Sequence, residues 1–116
     1  MNCLVDSSAW IRHFKRKDND LVALLDAQFA FTHPMVIGEL ALGNIREAVI
    51  SDIRQLPILD VYSHEEVLSF VFKNSLQSKG LGYVDVHLLY SALVNKVNLL
   101  SYDKALVREL ERLRRY

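Results

Sequence analysis

Apolar and polar positions along the 116-residue chain alternate between short apolar runs and longer stretches with the three- and four-residue spacing of a helix face. Residues 2–6 (NCLVD) predict a short buried strand, and Ser7 predicts the cap of a helix reaching about Lys17. A second helix fits Asp20 to Ala27, and QFAFT at 28–32 predicts a strand. Pro34 suits the first turn of a helix that ends at about Leu42, with Gly43 as its stop. Another helix fits Asn44 to about Gln55, and PILDV at 57–61 predicts a further strand. Ser63, with Glu66 three residues on, forms a capping box for a long helix to about Ser78. The GLG at 80–82 breaks the chain. A helix from Tyr83 or Val84 to about Lys96, the strand VNLLS at 97–101 and a charged helix opened by Asp103 complete it. Strands that alternate with helices predict an α/β fold with a mostly parallel sheet of about four strands, in a single domain spanning 1–116. Four glycines and two prolines are too few for a turn-rich all-β protein.

Composition narrows the class. A hydrophobic share of 51% excludes disorder. No apolar run approaches the roughly 18 residues of a membrane span, and the N-terminus has no pattern of a secretory signal. The single cysteine, Cys3, cannot form an internal disulfide, which points to a reducing cytoplasm; within its strand pattern it reads as a buried, inert thiol.

The acids carry the chemistry. Asp6 and Asp103 each follow a strand and precede a helix, and ligands of open parallel sheets collect at the carboxyl ends of strands, so both belong on one edge. Asp85 shares a helix face with Leu88, Leu89 and Ala92, and Glu39 shares one with Met35, Val36 and Leu42. Each is therefore expected on a stripe that faces the core. The ordinary fate of such an acid is pairing with a buried base. No Lys or Arg stands on either stripe within one turn, and a shared cation is the simpler account. All-oxygen donors suit Mg²⁺ or Mn²⁺. The four histidines (His13, His33, His64, His87) show no HxxxH spacing for zinc, there is no GxSxG, Gly-rich phosphate loop or CxxC, and Asp6, followed by Ser7 and Ser8, opens no DxD phosphotransfer motif. The 14 basic and 14 acidic residues balance, which speaks against a nucleic-acid binder; if four acids serve cations, the rest of the chain is modestly positive.

The segments VDSSAWI (5–11), IGEL (37–40), GYVDVHLLYSA (82–92) and LLSYDKAL (99–106) resemble the four motifs of the PIN domain. Their order and spacing are similar to those of VapC-type toxins, the ribonuclease halves of type II toxin–antitoxin pairs. The resemblance covers nearly the whole chain. It implies a three-layer α/β/α sandwich and a Mg²⁺-dependent endoribonuclease whose acids are Asp6, Glu39, Asp85 and Asp103. Asp6, Asp85 and Asp103 would be direct ligands, with Glu39 a ligand of a second ion or the acceptor of a proton from the attacking water. Ser7 and Ser101 match small polar positions beside the first and last acids; they orient a water or serve as cap and strand-end hydroxyls. Many relatives continue into an edge strand after the last helix, where this sequence stops. RNA contacts are expected from Arg12, Lys15, Arg16 and Lys17, or from Arg108, Arg112, Arg114 and Arg115, although both clusters also read as solvated helix faces. Tyr83 and Trp10 are candidates for base stacking, with core packing the ordinary role for Trp10. The implied partners are RNA, a cognate antitoxin bearing an arginine for the acidic pocket, and a second copy in a homodimer. Two readings stay open beside it: a PIN-fold protein that binds RNA or a partner without cutting, and a nuclease acting on DNA or in RNA maturation.

Overall fold

The computed structural model describes residues 1–115, and its centre is a strand with an unbroken apolar run, Cys3–Val5 (β1), buried on both faces. Such strands belong in parallel sheets covered by helices on each side. β1 pairs in parallel with Ala30–Phe31 (β2) on one flank and with Asn98–Leu100 (β3) on the other, giving the order β2-β1-β3. The register sets Cys3 opposite Ala30 and Asn98, and Val5 opposite Leu100. Parallel neighbours require crossovers. Ser7–Lys15 (α1) and Asn19–Asp26 (α2) supply the first. Pro34–Leu42 (α3), Glu47–Ile53 (α4), His64–Lys73 (α5) and Tyr83–Asn95 (α6) supply the second, and Lys104–Arg114 (α7) follows β3. Leu4 and Val5 of β1 pack with Val36 and Leu40 of α3, Leu88, Leu89 and Ala92 of α6 and Leu106 of α7 in one core. Among the described residues no helix is long and apolar enough to cross a membrane.

Several expectations shift. The sheet has three strands rather than about four: the segment 57–61 contributes a single parallel bridge, Thr32 to Ile58. The Thr32 N–H donates to the Pro57 carbonyl and the Leu59 N–H to the Thr32 carbonyl, both at 2.9 Å. Pairing goes no further because Pro34 turns the partner chain into α3 two residues later. The expected helix from Ser63 to Ser78 ends at Lys73, where Asn74 caps it and Ser75 and Ser78 take positive φ. The helix expected from Asn44 starts at Glu47, because Asn44 is left-handed at φ 63°. Finally, Asp6 rather than Ser7 caps α1: its backbone is extended and its carboxylate accepts the Ser7 N–H.

Candidate active site

Three of the four acids start helices. Asp6 caps α1, Asp103 caps α7, and Asp85 is the third residue of α6, reaching back to the Gly82 N–H at 2.9 Å. Helix N-termini stabilise negative charge. Asp6 and Asp103 also follow β1 and β3, so the parallel sheet sets them on one edge.

Asp6 is 4% exposed and organises the edge. Its Oδ2 accepts the Ser8 hydroxyl at 2.8 Å and the Ser101 hydroxyl at 2.7 Å. Both hydroxyl protons are thereby used, so the 3.3 Å approach of Ser8 to Ser101 is a contact without a proton between them. Each serine then accepts from backbone: Ser8 from the Tyr102 N–H at 3.0 Å, Ser101 from the Asp103 N–H at 3.1 Å. Asp6 Oδ1 accepts the Ser7 N–H at 2.8 Å, and the Ser7 hydroxyl donates to Glu39 Oε1 at 3.0 Å. Ser7 and Ser101, both expected at the site, are therefore joined to it. Ser8 was not expected; nothing in the sequence separates it from an ordinary first-turn serine.

Asp103 Oδ1 accepts the Leu106 N–H at 3.1 Å. Among the described residues, Glu39 Oε2, Asp85 Oδ1 and Asp103 Oδ2 accept no hydrogen bond, and none of the four acids pairs with Lys, Arg or His. Oδ1 of Asp6 has one close donor where a carboxylate oxygen takes two. Each acid thus commits part of its carboxylate to the fold and leaves part open.

The acids sense one another. Burial pushes the Asp85 carboxyl above its ordinary range; the Gly82 N–H opposes this, and the charges of Asp103 and Asp6 add to it. Desolvation likewise raises Glu39, against the Ser7 hydroxyl and with the charges of Asp6 and Asp85. Glu39 as a residue is exposed, a correction to the expectation that it faces the core; its carboxylate lies against α1 through Ser7 while Leu42, expected on the same buried stripe, is 92% exposed. The carboxylates do not converge on one point: among the described residues no three His, Cys, Asp or Glu side chains form a ready-made cation cage.

The basic candidates are placed differently. The Arg12 guanidinium stacks 4.3 Å from the Tyr102 ring centre and lies 3.9 Å from Asp18. Lys15, Arg16 and Lys17 are exposed. Arg108 and Arg112 both bond the buried Glu109, and Arg114 donates to Asn98 and to the Val97 carbonyl. Arg115 is exposed. Trp10 packs in the core, whereas Tyr83 is exposed, its hydroxyl bonded to His64 and its ring edge-on to His87.

Comparison with protein-family models gives no match. Against individual proteins, the chain is 45% identical over 106 residues to Ribonuclease VapC32 of Mycobacterium tuberculosis, in strain CDC 1551 / Oshkosh and in strain ATCC 25618 / H37Rv. The alignment covers 89% of this chain and 86% of that protein. The chain belongs to the VapC-type PIN-domain ribonuclease family. Its fold agrees with that of PAE2754 from Pyrobaculum aerophilum, known from a crystal structure, at a TM-score of 0.63 and 18% identity, over all of this chain and 91% of that one. Membership in the VapC family sits well with a three-stranded parallel sheet wrapped by helices and with the acids at its carboxyl edge.

Proposed function

We propose that this VapC-family chain is a Mg²⁺-dependent endoribonuclease, the toxin of a toxin–antitoxin pair, which hydrolyses RNA phosphodiester bonds in the cytoplasm. The observation that carries the reading is the set of four acids with open oxygens and no basic partner at the carboxyl edge of the sheet, where burial and the neighbouring acids raise Glu39 and Asp85. Carboxylates so placed repel, and an all-oxygen donor set matches a hard cation. Mg²⁺ keeps several waters, so carboxylates that do not meet at one point still suit it. When bound, such an ion supplies a lowered pKa for water and charge stabilisation at the phosphoryl oxygens. The residues that would hold it are Asp6, Asp85 and Asp103. Ser8 and Ser101 fix the Asp6 carboxylate through Oδ2, so that Oδ1 keeps acceptor capacity beside the Ser7 N–H. Glu39 Oε2, which accepts no hydrogen bond within the described fold, takes the proton of the attacking water.

The partners follow from the same chemistry. An acidic pocket also attracts a guanidinium, which pairs bidentately with carboxylates. The antitoxin is a small protein whose arginine enters among the four acids and whose apolar helix lies in the groove lined by Trp10, Phe14, Leu25, Val49, Ile53 and Leu56. Leu42 and Phe72, 92% and 61% exposed, supply apolar surface for a homodimer.

Incubation of the purified protein with transfer RNA, ribosomal RNA and single-stranded DNA, with Mg²⁺ or with a chelator, tests the reaction. RNA is cut with Mg²⁺ and spared with chelator. Cleavage of DNA alone, or cleavage that ignores the chelator, overturns the reading. Expression of the chain alone arrests growth, and co-expression of a small neighbouring gene relieves it; harmless expression of the active protein removes the toxin assignment and leaves the nuclease.

A further inference from the structure

Glu109 is 2% exposed, and none of the chemistry above uses it. Its Oε1 accepts Arg112 Nε at 2.7 Å and its Oε2 accepts Arg108 Nε at 3.1 Å. Burial alone pushes its carboxyl up, but the Arg112 and Arg108 hydrogen bonds and charges outweigh that and hold it below the usual range. Each guanidinium is a rigid fork, so fixing Nε fixes where the outer nitrogens point. Arg108 Nη2 donates to the Lys79 carbonyl and Arg112 Nη2 to the Asn74 carbonyl, each at 2.8 Å. Without Glu109, two like charges four residues apart on α7 repel and turn to water.

Both carbonyls belong to the segment between α5 and α6. Ser75, Ser78 and Gly80 take φ of 53°, 58° and 81° there, a region that residues with a Cβ adopt against steric resistance. The segment lies on the first turn of α7: a Cβ on Gly80 would touch Ala105 Cβ at 3.5 Å. It then delivers Gly82, whose N–H holds Asp85. The same helix α7 is capped by Asp103. One helix thus carries an acid of the site at its start and, further along, the anchor of the segment that presents another.

We propose that Glu109 is a positioning residue: by setting Arg108 and Arg112 against the Lys79 and Asn74 carbonyls, it fixes the 74–82 segment and so the placement of Asp85 relative to Asp103. The inference rests on the metal-site reading above.

The test uses Mn²⁺ alone, without RNA, on the parent, Glu109→Gln and Arg108→Lys, with site-resolved amide exchange and thermal melts on the same samples. Glu109→Gln weakens Mn²⁺ binding about tenfold, the lower end of the effect of outer partners of metal ligands. Arg108→Lys, which keeps the charge but loses the fork, shifts it in the same direction and carries the test if Glu109→Gln does not fold. In both, the Gly82 and Val86 amides exchange faster while those of β1 do not. A fall in melting temperature with unchanged Mn²⁺ affinity and unchanged exchange at Gly82 and Val86 overturns the proposal, as does uniform acceleration across the molecule. If the parent binds no Mn²⁺, the metal reading fails by itself and exchange decides this one: acceleration confined to Gly82 and Val86 sustains the positioning role, and any other pattern overturns it.

Discussion

Asp6 and Glu109 are both nearly inaccessible carboxylates, 4% and 2% exposed, and the fold treats them oppositely. Asp6 is held by hydroxyls and a backbone N–H, and Glu109 by two guanidiniums. Hydroxyls and amides orient a carboxylate without cancelling its charge, whereas arginines cancel it. The first arrangement leaves the carboxylate without a basic partner among the described residues; the second closes it between two arginines. Burial of an acid therefore says little about its role until its donors are known.

The largest expected effect separates the two regions by activity. Asp6→Asn, Asp85→Asn or Asp103→Asn lowers Mg²⁺-dependent RNA cleavage by more than about a hundredfold, beyond the loss at outer partners of metal ligands, with circular dichroism unchanged. Parent-like turnover by Asp85→Asn would erase the distinction. Next comes ligand-linked stability. Mg²⁺ at a hundredfold excess over its dissociation constant stabilises the parent by about 2.7 kcal/mol. Asp103→Asn loses most of that response in thermal melts; an undiminished response counts against a shared site.

A smaller effect probes the clamp. Glu109→Ala costs about 1–2 kcal/mol in denaturant unfolding, below the roughly 3–5 kcal/mol of breaking a fully buried pair, because both guanidiniums reach water. The Arg108 and Arg112 side chains are 61% and 36% exposed. A loss as large as that of a fully buried pair would mean that the arginines are not solvated when released.

The smallest effect is a pair of pH slopes of opposite sign. Asp85 and Glu39 have raised folded pKa values, so their contribution is present below the ordinary carboxylate range and is lost as pH rises through the raised values. The metal-free protein therefore loses melting temperature across that rise, and Asp85→Asn flattens the loss. Glu109 is lowered, so its contribution is present above the ordinary range and is lost as pH falls through the depressed value; Glu109→Gln flattens that acid limb. Melts that follow one slope in both variants would show that the two regions are not electrostatically distinct.

Much of the fold and the site is legible in the sequence. Short apolar runs alternating with helical stretches gave the parallel α/β class, and acids directly after strand patterns gave the shared edge of Asp6 and Asp103. The four motifs gave the family. Other features were not legible, each for a physical reason. Helix α3 is apolar nearly all round (PMVIGELAL), so periodicity could not say which face Glu39 takes; packing against α1 decided it. PILDV has the composition of a strand, but its partner strand ends where Pro34 begins a helix, so one bridge forms.

Arg108 and Arg112 look alike in sequence whether they face solvent, RNA or Glu109. Their engagement depends on carbonyls 29 and 38 residues away, in a segment whose path is set by left-handed serines that no propensity favours. Ser8 becomes a partner of Asp6 because β3 brings Ser101 and Tyr102 beside it, contacts that span 93 and 94 residues of chain. Local sequence determined the elements, the acids and the family, because periodicity and capping act within a few residues. Which acids stay open to a cation and which are closed by arginine was decided by tertiary structure alone, because the donors that settle a carboxylate's charge arrive from distant strands and loops.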